Sequence, residues 1–162
     1  MFPFFSRQRS PEVEPAGGIF RWGRNNAGQL GDGTITSRSS PVQMGALTTW
    51  TAAIQSQNYA STALKNDGTI WCVGLNDKGQ LGDGTTTNRS SPVQVGDRTA
   101  WVAIGHGSFA NTHFGIESGG KLWVWGSGGY GANGKGNTTH YSSPVQIGSQ
   151  TDWEKVHIGT GG

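Results

Sequence analysis

The chain has 162 residues, of which only 14% are charged, 28 are glycine and 7 are tryptophan. A formal charge of +2, spread thinly along the chain, gives no electrostatic footprint for nucleic acid. No apolar run approaches the roughly 18 to 20 residues that a membrane-spanning helix needs, and a single cysteine, Cys72, excludes an intramolecular disulfide framework.

Residues 1–18 combine Phe2, Phe4 and Phe5 with Arg7 and Arg9, followed by a Pro- and Glu-bearing linker. A secretory signal has its basic residues before a longer apolar core, so the reversed order here argues against one, and the mature chain is expected to begin at Met1. Three phenylalanines on a free tail are a solubility liability unless covered. The expectation is a docking arm that inserts into a neighbouring subunit; the plain alternative is a tail whose aromatics fold back on the chain itself.

From residue 19 onward the same sentence is written three times. Residues 19–50 read IFRWGRNNAGQLGDGTITSRSSPVQMGALTTW, and residues 70–101 read IWCVGLNDKGQLGDGTTTNRSSPVQVGDRTAW. Residues 122–153 read LWVWGSGGYGANGKGNTTHYSSPVQIGSQTDW. Glycines recur at Gly23, Gly74 and Gly126 and again at Gly28, Gly79 and Gly131, and each unit closes on a tryptophan (Trp50, Trp101, Trp153). The spacing is 51 and then 52 residues, the mark of a propeller or solenoid built from repeats. The units are 19–69, 70–121 and an incomplete 122–162.

β-Branched and aromatic runs bounded by Gly, Asn and Asp predict strands. Ile19–Trp22, Ile70–Val73 and Leu122–Trp125 form one type, and Trp50–Ile54, Trp101–Ile104 and Trp153–Ile158 a second. Tyr59–Leu64 and Thr112–Ile116 form a third, each followed by a tight turn, Asn66-Asp67-Gly68 or Ser118-Gly119-Gly120. A short outer strand has room near each Pro-Val-Gln, while Ser-Ser-Pro itself reads as a turn. No apolar pattern of helical period appears.

The wording W-x-x-G-x-N-x-x-G-Q-L-G-D-G-T, then S-S-P-V-Q-V-G, then W-x-x-I-x-x-G, then D-G-x-I-W resembles the regulator of chromosome condensation repeat. In the second copy it rests on Asn76, Gly79, Gln80, Leu81, Gly82, Asp83, Gly84, Pro92, Trp101, Ile104 and Gly107. The resemblance implies an all-β propeller of four-stranded blades, usually seven, with repeats offset from blades. About three blades here imply a partial propeller, or one completed by other subunits, with unpaired edges that invite another chain. The third copy departs from the pattern: Asn133 replaces Leu and Lys135 replaces Asp, which reads as a degraded terminal copy.

Chemistry-bearing motifs are weak. GSGGYG at 126–131 spells a nucleotide-binding fingerprint and GYGANGKG at 129–136 nearly spells a phosphate loop, but neither precedes a helix. Asp32 and Asp83 lie in Gly-Asp-Gly turns, one acid each, too few oxygens for calcium, and are expected to accept backbone N–H bonds. His106, His113, His140 and His157 share no metal-ligand spacing. Cys72 is expected to be a packed thiol, and Trp22, Trp71, Trp123, Trp125 and the closing tryptophans to be blade packing.

The reading is therefore a non-catalytic structural and protein-binding module with no cofactor, metal, nucleic acid, membrane insertion or small-molecule substrate. Its expected partners are other protein subunits, as a homo-oligomer or in a larger assembly. Gly/Thr/Asn-rich, near-identical copies are similar to those of bacterial and bacteriophage family members, which suggests a virion or surface-assembly subunit, in the virion or the host cytoplasm. Two further readings follow from the resemblance. An enzyme-inhibiting propeller would use Tyr130 and Tyr141 of the odd copy. A guanine-nucleotide exchange factor binding chromatin would need a full ring, an acidic switch loop and a basic tail, none of which the sequence shows. The chain could also be the N-terminal piece of a longer propeller.

Overall fold

A computed structural model describes residues 17–46, 48–55, 59–107 and 111–156. The arm with Phe2, Phe4 and Phe5 lies outside them, as does His157. Ten strands follow in chain order: β1 (Phe20–Gly23), β2 (Arg38–Gln43), β3 (Trp50–Gln55), β4 (Ala60–Lys65), β5 (Ile70–Gly74), β6 (Arg89–Gln94), β7 (Trp101–His106), β8 (Thr112–Glu117), β9 (Leu122–Gly126) and β10 (Tyr141–Gln146). They form two antiparallel four-stranded meanders, β3-β4-β5-β6 and β7-β8-β9-β10, and a two-stranded sheet, β1-β2. Among the described residues the only helical turn is a short one at Gly129–Gly131.

Each blade straddles two repeats: β3 and β4 end the first copy, β5 and β6 begin the second. The repeats are offset from the blades, as the resemblance implies. The hairpins joining their halves turn where expected, with Gly68 and Gly120 at φ 75° and 71°. The Asp67 carboxylate accepts the Thr69 N–H at 3.0 Å, closing the first of them. These hairpin tips also reach forward: the Gly68 and Gly120 carbonyls accept the Trp101 and Trp153 N–H groups at 3.0 and 3.1 Å.

The core lies in layers between successive sheets. Met44, Ala63 and Val73, with Ile19 and Trp50 against them, join the first sheet to the first blade. Leu64, Ile70, Cys72, Leu81, Val95, Trp101, Trp123 and Trp125 join the two blades. Within that layer Trp101 meets the Trp123 ring edge-on, with centroids 6.5 Å apart. Phe114, Ile116 and Leu122, with Ile147, Trp153 and Val156, form the layer beyond the last blade.

Three expectations are corrected. Ser-Ser-Pro is not a turn but the middle of the outer strands β2, β6 and β10. Proline survives there because these strands end their sheets, and the register slips between Cys72 and Gly74 beside Pro92, where the ladder lacks a donor. Residues 153–156 form no strand, because β3 and β7 are held by β4 and β8, and no such partner follows Trp153 among the described residues. Trp22 is not packed in a blade; it is 64% exposed. The corresponding Val73 and Trp125 are covered by the loop of the preceding repeat, and Trp22 has no preceding repeat among the described residues.

Candidate functional site

The segments between the inner strand β1, β5 or β9 and the outer strand that follows it carry most of the polar signature. In the first two copies one asparagine organises each loop. Asn25 Oδ1 accepts the Leu30 N–H at 2.9 Å, while its Nδ2 reaches the carbonyls of Thr34 and Thr36 at 3.0 and 3.1 Å. Asn76 repeats this with Leu81, Thr85 and Thr87 at 2.9, 3.1 and 3.0 Å. Both asparagines are completely buried, so these bonds replace the water they have lost.

The Gly-Asp-Gly aspartates do more than close their own turns. Asp32 accepts the Thr34 N–H at 3.0 Å and pairs with Arg38 at 2.8 Å. Asp83 accepts from Thr85 at 3.0 Å and pairs with Arg89 at 2.9 Å. Burial pushes the Asp32 carboxyl up, but the bonds from Thr34 and Arg38 outweigh it and hold the group down at about 2. Asp83 is lowered in the same way: burial opposes, and Thr85, Arg89 and Asn76 prevail. The arginine immediately before Ser-Ser-Pro is thus part of the loop, a pairing that equal spacing in both copies could have revealed.

These loops are latches onto the next repeat. A Cβ added to Gly28 would lie 2.6 Å from the Ser90 Cα, and one added to Gly79 would lie 2.5 Å from the Ser142 Cα. The Gly33 N–H donates to the Ser90 carbonyl and the Gly84 N–H to the Ser142 carbonyl, both at 2.8 Å. Gly31 sits over Val73, and Gly82 over the Trp125 indole. All of these glycines have positive φ, and at Gly28, Gly79, Gly31 and Gly82 close approach requires glycine as well. Gly28, Gly79, Asp32 and Asp83 are therefore parts of one junction.

The third loop is rebuilt rather than degraded, which corrects the expectation from sequence. Gly128 stands where Asn25 and Asn76 stand, and Asn133 stands where Leu30 and Leu81 stand. A Cβ at Gly128 would meet the Asn133 amide at 2.6 Å: the asparagine has moved, and its side chain enters the same space from the opposite strand of the loop. Asn133 is buried, and its Nδ2 donates to the Thr139 carbonyl at 3.0 Å, the counterpart of Thr36 and Thr87. The Gly128 N–H donates to His140 Nδ1 at 3.0 Å, where Asn25 and Asn76 donate to Ser37 and Asn88. Lys135 and Tyr141 together replace the Asp–Arg pair.

Outwardly this loop differs from the other two. Among the described residues nothing lies within 4 Å of a Cβ added to Gly131 or Gly136. Tyr130 is 99% exposed and held at φ 56°. Tyr141 is half-buried, and its hydroxyl accepts a bond from Asn137 at 3.2 Å. Trp101 is buried, whereas Trp50 and Trp153 are half-buried against their layers.

A buried polar line crosses the two blades elsewhere. The Thr62 hydroxyl lies 3.2 Å from the Cys72 sulfur and 2.9 Å from His113 Nδ1, and His113 stacks on Trp125. Burial pushes the Cys72 thiol up to about 12 and His113 down to about 3, the latter helped by His106. Both groups are neutral and sealed from solvent, so this is a packing link between blades rather than a nucleophile and its base.

Repeat units that straddle antiparallel blades, with loops latched to the following outer strand, define an arc of β-propeller. The chain belongs to the family described as Regulator of chromosome condensation (RCC1) repeat, whose profile matches residues 16–56 and 67–110, more than half the chain. Relatives include the mouse probable E3 ubiquitin-protein ligase HERC4, 31% identical over 137 residues, covering 82% of this chain and 13% of that protein. Human HERC3, also a probable E3 ubiquitin-protein ligase, is 30% identical over 159 residues, covering 88% of this chain and 15% of its own. The chain thus spans a small part of each relative's length. Among solved structures, human WBSCR16 matches with TM-score 0.67 at 23% identity over 81% of this chain and 35% of that one. Prp20p of Saccharomyces cerevisiae, described with its binding to Gsp1p and histones, matches with TM-score 0.68 at 20% identity, over 82% and 34%. These structural likenesses carry the propeller fold.

Proposed function

We propose that the chain is a non-catalytic structural and protein-binding propeller module, a subunit of a larger assembly. The carrying observation is the third loop, closed internally through Asn133 yet presenting Tyr130 at 99% exposure. A large aromatic on a pre-ordered loop loses little conformational freedom on binding and can bury much apolar surface, as an interface anchor does. The binding of Gsp1p and histones by Prp20p supports a protein-binding role for this architecture. The near-verbatim, Gly/Thr/Asn-rich copies support a bacteriophage virion, as capsid decoration or tail component, or a bacterial surface structure as the setting. The arm bearing Phe2, Phe4 and Phe5 would be the second anchor.

The test is incorporation into the native assembly, purified from producing cells through a tag on this chain. Tyr130→Ala is expected to reduce incorporation about tenfold, the cost of truncating an interface anchor. Deletion of residues 1–16 is expected to abolish it. Wild-type incorporation by both variants would refute the proposal. The same exposed tyrosine favours one other reading, a propeller that blocks an enzyme. Titration against a β-lactamase, with Tyr130→Ala as the control, separates it: tyrosine-dependent inhibition would support that reading.

A further inference from the structure

The inter-repeat junction is made twice inside this chain, and among the described residues one further strand half and one further loop half stand exposed. The strand half belongs to the first copy. Ser39 and Pro41 are exposed there, whereas the matching Ser90, Pro92, Ser142 and Pro144 are half-buried beneath or beside the preceding loop. Trp22 is 64% exposed, whereas the matching Val73 and Trp125 are buried under Gly31 and Gly82. The loop half belongs to the third copy. Gly131, Gly134 and Gly136 are exposed, keep φ of 72°, 62° and 70°, and stand at the offsets of Gly28, Gly31 and Gly33. The loop interior was rewired, yet every glycine that makes the junction elsewhere is still present.

We propose that this third loop docks on the first outer strand of a second copy of the chain, head to tail. Gly131 would pack on the second copy's Ser39, Gly134 would cover its Trp22, and the Gly136 N–H would donate to its Ser39 carbonyl. Each pairing is the one already made by Gly28 with Ser90, Gly31 with Val73, and Gly33 with the Ser90 carbonyl. The occupant is a second copy because the exposed loop and the exposed strand carry the two complementary halves of a junction that the chain already makes twice. Such a contact joins unlike surfaces, so it continues from copy to copy until a ring closes. The inference deepens the assembly-subunit reading and rests on it.

Two variants each disable one half. Ser39→Trp places bulk where the loop must approach, at a position that is exposed within the chain. Gly131→Asn adds a side chain where Gly28 and Gly79 tolerate none; asparagine accepts positive φ, and the space above Gly131 is open. Native mass by light scattering is expected to show a wild-type oligomer and two monomeric variants with unchanged far-ultraviolet circular dichroism. Mixing the variants leaves one intact loop and one intact strand, so the mixture is expected to form a dimer and nothing larger. A monomeric wild type at every concentration, variants that still oligomerise, or a mixture that stays monomeric would each overturn the proposal. Tyr130-dependent incorporation into the native assembly is read separately, so loss of self-association would leave that result standing.

Discussion

The second and third loops occupy equivalent places in successive repeats and solve the same internal problem with different residues. The second is centred on Asn76, clamped by Asp83 and Arg89, and pressed onto Ser142. The third is centred on Asn133, has Lys135 and Tyr141 in place of the ion pair, and among the described residues has nothing within 4 Å of a Cβ added at Gly131 or Gly136. Internal closure and outward docking are therefore separable properties. The asparagine supplies the first, and the second takes the positive-φ glycines together with an outer strand for them to meet.

Breaking the docked loop should cost most. Gly79→Ala meets the Ser142 backbone and a forbidden φ together, and is expected to cost about 3 kcal/mol in denaturant unfolding. Gly131→Ala, made in the Ser39→Trp variant where the third loop has no strand to meet, faces only the φ and should cost about 1 kcal/mol. A similar loss for both would erase the distinction. Next comes the ion pair. Asp83→Ala strands Arg89, the Thr85 N–H and part of Asn76, and should lower stability by about 2 kcal/mol. Lys135→Ala, at the matching exposed site, should stay within about 0.5 kcal/mol.

Asn133→Leu restores the residue of the other copies but removes the loop's only matching asparagine. It should cost about 1 kcal/mol and sharpen the case that the loop was rebuilt. Acid makes the finest separation. Asp32 is held at about 2, below its unfolded value near 4, so its contribution is complete above about pH 4 and fades as pH falls toward 2. Asp83, also lowered, fades in the same direction. Loop amide resonances at 25–38 and 76–89 should therefore move on acidification in that window, before those at 131–136, which contain no carboxylate. The change should be smaller than on removing the side chain, because a protonated carboxyl keeps some of its bonds.

Much of the fold was legible because repetition averages out local ambiguity. The same glycine offsets three times over marked the inner strands and the hairpins. What failed was whatever a neighbour decides. Ser-Ser-Pro read as a turn because proline opposes strands in general, and only the outer position of these strands admits it. Trp22 read as core because its counterparts are covered, but the cover is the preceding loop. The third copy read as degraded because Asn133 and Gly128 were each compared with their own columns, and the exchange shows only when the two columns are taken together. Thr62 and His113 lie 51 positions apart with no shared motif, so nothing local announced their contact.

The central claim, two docked loops and one free, is best tested by amide hydrogen exchange in the Ser39→Trp variant, where the third loop has no strand to meet. The Gly33 and Gly84 N–H groups, bonded to Ser90 and Ser142, are expected to exchange slowly. The Gly136 N–H, which makes no such bond among the described residues, is expected to exchange at close to the rate of open chain. Equal protection at all three glycines would contradict the account.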